Sequence, residues 1–161
     1  MLSLEEAVER TLESVPFLGC ENVKLEAALG RFAGIDLKAK ESLPGFDNSA
    51  MDGYAVKSAD LKQASATNPV TLACIGVVPA GQSAANELRS GTCMRIFTGS
   101  PVPSGADAVI MQEDCKPDDK TNTVQCLDHV RPWENIRMQG EDVKRGEIVA
   151  GRGTKINKGN N

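Results

Sequence analysis

The run Pro44-Gly45-Phe46-Asp47-Asn48-Ser49-Ala50-Met51-Asp52-Gly53-Tyr54-Ala55-Val56 gathers two carboxylates, an amide and a hydroxyl just before a strand-like stretch. A plain reverse turn needs one Asp-Gly or Asn-Gly step. Here a Pro-Gly step opens the segment, Asp52-Gly53 closes it, and Asp47, Asn48 and Ser49 lie between them. An ionised aspartate repels a bare phosphate, but it accepts hydrogen bonds from a substrate amine or hydroxyl. It also suits a hard cation such as Mg²⁺, which prefers oxygen ligands and keeps several waters. The plainer reading is that Asp52 supports an Asp-Gly turn and Asp47 caps nearby amides. If the segment is a site, it is a binding loop held by a rigid sheet.

Two further segments carry chemistry. In Gly91–Pro103 (GTCMRIFTGSPVP) a strand runs into Thr98-Gly99-Ser100, and Pro101 and Pro103 stiffen the exit. The hydroxyls and amides of Thr98 and Ser100 suit an oxyanion, and Gly99 permits close approach of a ligand. A rigid turn between strands accounts for the same residues. The Lys-Ser/Thr ending of a nucleotide-binding P-loop is missing. In Asn135–Gly146, Arg137 precedes Glu141 and Asp142. Its planar fork suits a phosphate or oxyanion; the alternative is a surface ion pair with Glu141 or Asp142. His129 is the only histidine, so a zinc site built on three histidines is impossible, and no serine lies in a Gly-x-Ser-x-Gly elbow. No metal-ligating residues are assigned.

The chain has 161 residues and a formal net charge of −4, which allows one domain or two small ones. The negative charge argues against nucleic acid, which needs a basic face to displace counterions, and against an anionic membrane surface. Aromatic residues are few, so the core is expected to be aliphatic, with Trp133 as an anchor in it. Cys20, Cys74, Cys93, Cys115 and Cys126 are odd in number and widely spaced, which points to reduced cysteines in a cytoplasmic protein, some packed in the core. No signal peptide and no apolar run of bilayer length are present.

The positioning elements follow from periodicity. Residues 3–15 read as a helix: Ser3 and Glu6 fit a capping box, Leu4, Ala7, Val8, Leu12 and Val15 share one face, and Pro16 stops it. A short helix is expected over Leu25–Leu29 with Gly30 as its cap, then a strand over Arg31–Leu37. Strands follow at Val70–Val78 (one parity), Met94–Ile96, Ala108–Met111, Val124–Cys126, Ile148–Ala150 and Gly151–Ile156, with Lys116–Asn122 as a hairpin loop. Short strands broken by Gly, Pro and Asn predict a mainly β, α+β fold with a barrel-like or folded-over sheet. The chain stops after Lys158-Gly159-Asn160-Asn161 as though another element should follow, and reads as a fragment.

The order of these blocks resembles one family. PGFDNSAMDGYAV (44–56) is similar to the signature of the MoeA-type molybdopterin molybdenumtransferases, and GTCMRIFTGSPVP (91–103), GADAVIMQE (105–113) and NIRMQGED (135–142) resemble that family's next blocks in register. The resemblance implies insertion of molybdenum from molybdate into adenylated molybdopterin, with Mg²⁺ as cofactor and release of AMP. It implies an elongated cytoplasmic homodimer of four-domain subunits, with a molybdopterin adenylyltransferase as a possible partner, and no role for nucleic acid or membrane. It divides this chain into domain I (1–42 and the return segment 140–161) and an inserted, β-rich, lid-like domain II (43–139), without the α/β third domain. It places Asp52, Thr98 and Asp142 as catalytic residues on one wall of an inter-subunit cleft, with Asp47, Asn48, Ser49, Ser100 and Arg137 as substrate-binding residues. A wall alone does not preorganise and dry a cleft, so the chain by itself is expected to be inactive. Eukaryotic members of the family also cluster receptors, which leaves a stand-alone docking module, binding a partner that carries the missing domains, as the alternative.

Overall fold

Helix α1 (Leu4–Ser14) starts where its first free amides find side-chain acceptors. Glu6 N donates to Ser3 Oγ at 3.2 Å, and Ser3 N donates to Glu6 Oε2 at 2.9 Å, which closes the capping box read from the sequence. The computed structural model describes residues 2–16, 18–82, 84 and 86–158. It divides the chain into two units, Met1–Lys38 with Ile148–Asn161, and Ala39–Glu147.

In the first unit α1 is amphipathic but buries none of its residues: Leu4, Val8 and Leu12 are all exposed. The expected helix over Leu25–Leu29 is a single 3₁₀ turn, Leu25–Ala27, and Gly30 follows at φ 80°. The expected strand Arg31–Leu37 is broken. Phe32 makes a lone bridge to Lys155, the chain bends at Gly34, and pairing resumes only in β1 (Leu37–Lys38), antiparallel to β10 (Ile148–Ala150). Gly34 lies against Cys20, where a Cβ would overlap the sulfur. The expected strand Gly151–Ile156 is likewise mostly a turn. Gly153 takes φ 82°, and Arg152 N donates to Asp36 Oδ1 at 2.8 Å. The last three residues, where the chain was expected to stop short of another element, lie outside the described residues.

The second unit is built on a six-stranded sheet. Its members are β3 (Gly53–Val56), β4 (Val70–Val78), β5 (Thr92–Ile96), β6 (Ala108–Met111), β7 (Cys115–Asp118) and β8 (Thr123–Cys126), in the spatial order β6-β3-β5-β4-β8-β7. All neighbours are antiparallel except β4 and β5. In β4 Leu72 and Val78 are buried while Thr71, Ala73, Ile75 and Val77 are exposed, the period of two expected of a strand with one covered face. At β6, β3 and β5 the sheet is covered on both faces. Tyr54, Val56, Cys93, Ala108 and Ile110 join one cluster, and Ala55, Met94, Ile96 and Val109 the other, which explains why β6 reads as a continuous apolar run. A separate ladder pairs β2 (Asn48–Ser49) with β9 (Ile136–Arg137).

Two expectations need correction in this unit. Trp133 is 51% exposed rather than a core anchor. It and Asn135 take left-handed backbone conformations, and Ile136 takes the buried position instead. The expected hairpin loop Lys116–Asn122 is shorter, because β7 continues to Asp118. The described residues are thus mainly β with one α-helix. No described helix is long and apolar enough to cross a membrane.

Candidate functional site

All eight residues singled out from the sequence fall in the second unit, where backbone pairing draws three separated segments together. Leu43 N donates to Val143 O at 2.8 Å, Asp142 N to Leu43 O at 2.9 Å, and Gly140 N to Pro44 O at 2.9 Å. The start of the first block is thereby tied to the last. Strand β2 then lies between two partners. On one side Asn48 registers with Arg137 and Ser49 with Ile136. On the other, Ser49 N donates to Ser100 O at 3.0 Å and Gly99 N to Ser49 O at 2.8 Å.

One residue pair joins the first two blocks through a carboxylate. Asp52 Oδ1 accepts from the Thr98 amide at 2.8 Å and from Thr98 Oγ1 at 2.9 Å. Both bonds fall on the same oxygen. Thr98 follows β5 and Asp52 precedes β3, and these strands are hydrogen-bonded neighbours, so the sheet fixes the spacing of the pair. The amide of Thr98, then its hydroxyl, hold the Asp52 carboxyl below the ordinary carboxylate range, with a smaller contribution from Arg95. Such hydrogen bonds favour the charged form. A depressed carboxyl adds stability above its unfolded pKa and loses it as pH falls through the folded value. For this exposed group the effect is confined to acid pH and is small. Thr98→Val removes the hydroxyl and keeps the amide. The Asp52 carboxyl-carbon NMR titration of that variant is expected to move up, yet stay below the ordinary value, because the larger cause remains. An unshifted titration would mean that the hydroxyl bond is absent in solution.

The third block resolves into an ion pair. Arg137 Nη2 donates to Asp142 Oδ1 and Oδ2 at 2.6 and 2.7 Å, and Nε donates to Glu141 Oε1 at 3.4 Å. The hydrogen bond with Asp142, ahead of its charge and of Glu141, raises the Arg137 pKa. An incoming anion must therefore compete with two carboxylates for this guanidinium. Asp47 Oδ1 accepts from Gln139 N at 2.7 Å, and Gln139 Nε2 donates to Gly45 O at 2.8 Å, so Asp47 ties the first and third segments.

The remaining three side chains lie inside. Ser49 and Ser100 are fully buried and Asn48 nearly so. Ser49 Oγ donates to Met51 O at 2.5 Å, and Asn48 Nδ2 to Phe46 O at 3.1 Å. Ser100 Oγ is buried with no hydrogen-bond partner among the described residues. Phe46, Met51, Phe97 and Met138, each next in sequence to a polar site residue, are all exposed.

One further residue was not singled out from the sequence. The Arg95 guanidinium stands 5.1 Å from the Tyr54 ring centroid and 5.2 Å from that of Phe97, and it also bonds Gln112 Oε1. Tyr54 and Arg95 are cross-strand partners, so they share a face. The available signal was parity: Arg95 alternates with the buried Met94 and Ile96, two residues before Phe97. Among the described residues no group of three or more His, Cys, Asp or Glu is arranged to hold a metal ion. Mg²⁺ in phosphate-handling sites takes one or two carboxylates together with substrate oxygens and waters. Among the described residues Asp52 Oδ2 has no hydrogen-bond partner, so Asp52 fits such a single-ligand role, and those residues build no cage.

Comparison with known proteins gives these residues a context. The family model described as MoeA N-terminal region (domain I and II) matches residues 2–160. The molybdopterin molybdenumtransferase of Haemophilus influenzae is 39% identical over 157 residues, covering 97% of this chain and 37% of that protein. The enzyme of the same name from Bacillus subtilis is 33% identical over 160 residues, covering 98% of this chain and 37% of that protein. A crystal structure of the molybdopterin biosynthesis moeA protein from Pyrococcus horikoshii superposes with a TM-score of 0.81 at 32% identity, covering 97% of this chain and 39% of that one. The chain thus spans little more than a third of the length of the relatives it matches.

Proposed function

The chain belongs to the MoeA N-terminal region family, and we propose that it supplies one wall of the active-site cleft of a molybdenum-inserting enzyme. The reaction would transfer molybdenum from molybdate to adenylated molybdopterin and release AMP, in a cytoplasmic homodimer. The observation that carries the reading is the Asp52–Thr98 pair, in which two segments of the sequence meet at one exposed, charged point.

The residues take distinct parts. Asp52, an exposed carboxylate, is negative at neutral pH, and Thr98 further stabilises its ionised form. It would orient a substrate hydroxyl, amine or Mg²⁺-bound water, and Thr98 would hold it in place. When bound, Mg²⁺ would offset charge on the substrate's phosphate oxygens. Arg137, held by Asp142 and Glu141, would meet anionic substrate groups, with Asp142 setting its orientation. Asp47 would fix the loop that carries them. Burial of Asn48, Ser49 and Ser100 favours support of the turns over contact with substrate. Domains I and II would correspond to the two units, whose boundaries are nearest residues 38 and 147. The exposed stripe of α1 supports a partner subunit, and a molybdopterin adenylyltransferase would deliver the substrate.

A single polar wall does not exclude water from a reaction. The 161-residue chain, given adenylated molybdopterin, molybdate and Mg²⁺, is therefore expected to release no AMP above the uncatalysed rate. Multiple turnovers by the chain alone would show that it carries a complete site. The second reading, a module that docks a partner, draws on the exposed apolar side chains next in sequence to the polar site residues. Stable binding of a cytoplasmic protein to the chain, unaffected by loss of Asp52, would favour it.

A further inference from the structure

Four of the five cysteines lie in one core cluster of the second unit: Cys93, Cys115 and Cys126 within it and Cys74 packed against it. Two of them are joined by the fold in a specific way. Cys115 and Cys126 are register partners across the antiparallel β7–β8 hairpin. Leu127 N donates to Asp114 O at 2.8 Å, a bond flanking the pair rather than within it, so this is a non-hydrogen-bonded position of the ladder. Pro117, two residues on, falls at the next such position, where its missing N–H breaks no ladder bond. At these positions the Cα atoms approach to about 4.5 Å and the side chains are closest, inside the roughly 4.4–6.8 Å window that a disulfide spans.

We propose that Cys115 and Cys126 form a modification site, an oxidisable dithiol that closes to an intrachain disulfide when a peroxide takes up two electrons. Two S–H bonds break and one S–S bond forms. The two protons and two electrons pass to hydrogen peroxide, whose O–O bond breaks to give two molecules of water. The disulfide closes the loop 116–125 and fastens the outermost strand of the sheet to its neighbour. The proposal is independent of the molybdenum-insertion reading.

Three observations favour this pair over the others. Each of the two thiols acts on the ionisation of the other, lowering the Cys126 pKa and raising that of Cys115; the thiolate is the reactive form. Strand β7 is an edge strand, so oxidant reaches the pair when one strand frays. By contrast, Cys93, the register partner of Cys74, lies on an interior strand and burial pushes its thiol up. Cys20 is exposed and belongs to the other unit, and serves as an internal gauge of oxidant dose.

The test is peroxide treatment of the purified chain, alkylation of the remaining thiols and tryptic mass spectrometry without reduction. Lys116-Pro117 and Arg131-Pro132 resist trypsin, so the two cysteines fall in peptides 96–120 and 121–137. These peptides are expected to appear joined, with two hydrogens lost, and to separate on addition of dithiothreitol. The oxidised chain is expected to unfold several degrees higher than the reduced one. The Cys20→Ser chain should behave in the same way. Free Cys115 and Cys126 at a dose that consumes Cys20 would overturn the proposal. So would conversion of either to a sulfinic acid without linkage, or linkage of either to Cys74 or Cys93.

Discussion

Asp52→Ala in a complete molybdopterin molybdenumtransferase carrying this region is expected to lower turnover about 10²-fold or more, with little change in the unfolding midpoint. The two effects separate because of where the carboxylate sits. Asp52 is exposed, and among the described residues its carboxylate bonds only the amide and hydroxyl of Thr98, both of which water can satisfy after the substitution. In the proposed function its catalytic value would lie in a fixed negative charge, and a fixed charge aimed at a reacting group lowers a barrier strongly because it needs no reorganisation during the reaction. Asp52→Asn distinguishes charge from shape, since its amide oxygen can still accept both Thr98 bonds. A loss with asparagine close to that with alanine assigns the effect to charge. AMP release under saturating substrate is the measurement, and an unchanged rate for Asp52→Ala removes this residue from the mechanism.

The neighbouring residue gives the second large effect, on stability instead of rate. Gly53→Ala is expected to destabilise the second unit by about 3 kcal/mol or more. Gly53 opens β3 between β5 and β6, opposite Ile96 and Met111. A Cβ there would overlap the Ile110 carbonyl oxygen and lie 3.0 Å from its carbon. Backbone on a paired strand cannot yield as a flexible side chain does, so β3 and β6 must part or shift. Gly45→Ala is the control, because the nearest atom to its new Cβ is 3.9 Å away. Urea unfolding of the chain measures both; equal midpoints for Gly53→Ala and the unsubstituted chain would contradict the close approach.

Gly53 also shows where sequence reading succeeds and where it stops. The Asp52-Gly53 step reads as turn chemistry, and a turn does precede β3. The reason for glycine, however, is the carbonyl of a residue more than fifty positions later, which no local pattern reveals. The helix is legible because its signals are local: Ser3, Glu6 and Pro16 act within one or two turns. The alternation in Val70–Val78 is legible because one face is covered. The break in Arg31–Leu37 is not, since Gly34, where the chain bends, lies against Cys20 fourteen positions away. Trp133 escapes sequence reading for a similar reason. Its bulk suggests burial, but two left-handed residues in the Arg131–Asn135 turn present it to solvent. Among the site residues, the meeting of Asp52 with Thr98 rests on strand pairing between distant blocks, which the family resemblance anticipates and composition does not. The burial of Ser49 and Ser100 follows from the same pairing.

The most direct test of the central claim is the crystal structure of the complete homodimeric transferase with adenylated molybdopterin bound. The account predicts that the Asp52 and Thr98 side chains of one subunit face the ligand, with the Asp52 carboxylate within one water or one metal ion of it. A ligand enclosed wholly by other domains, with both residues facing bulk solvent, would contradict it.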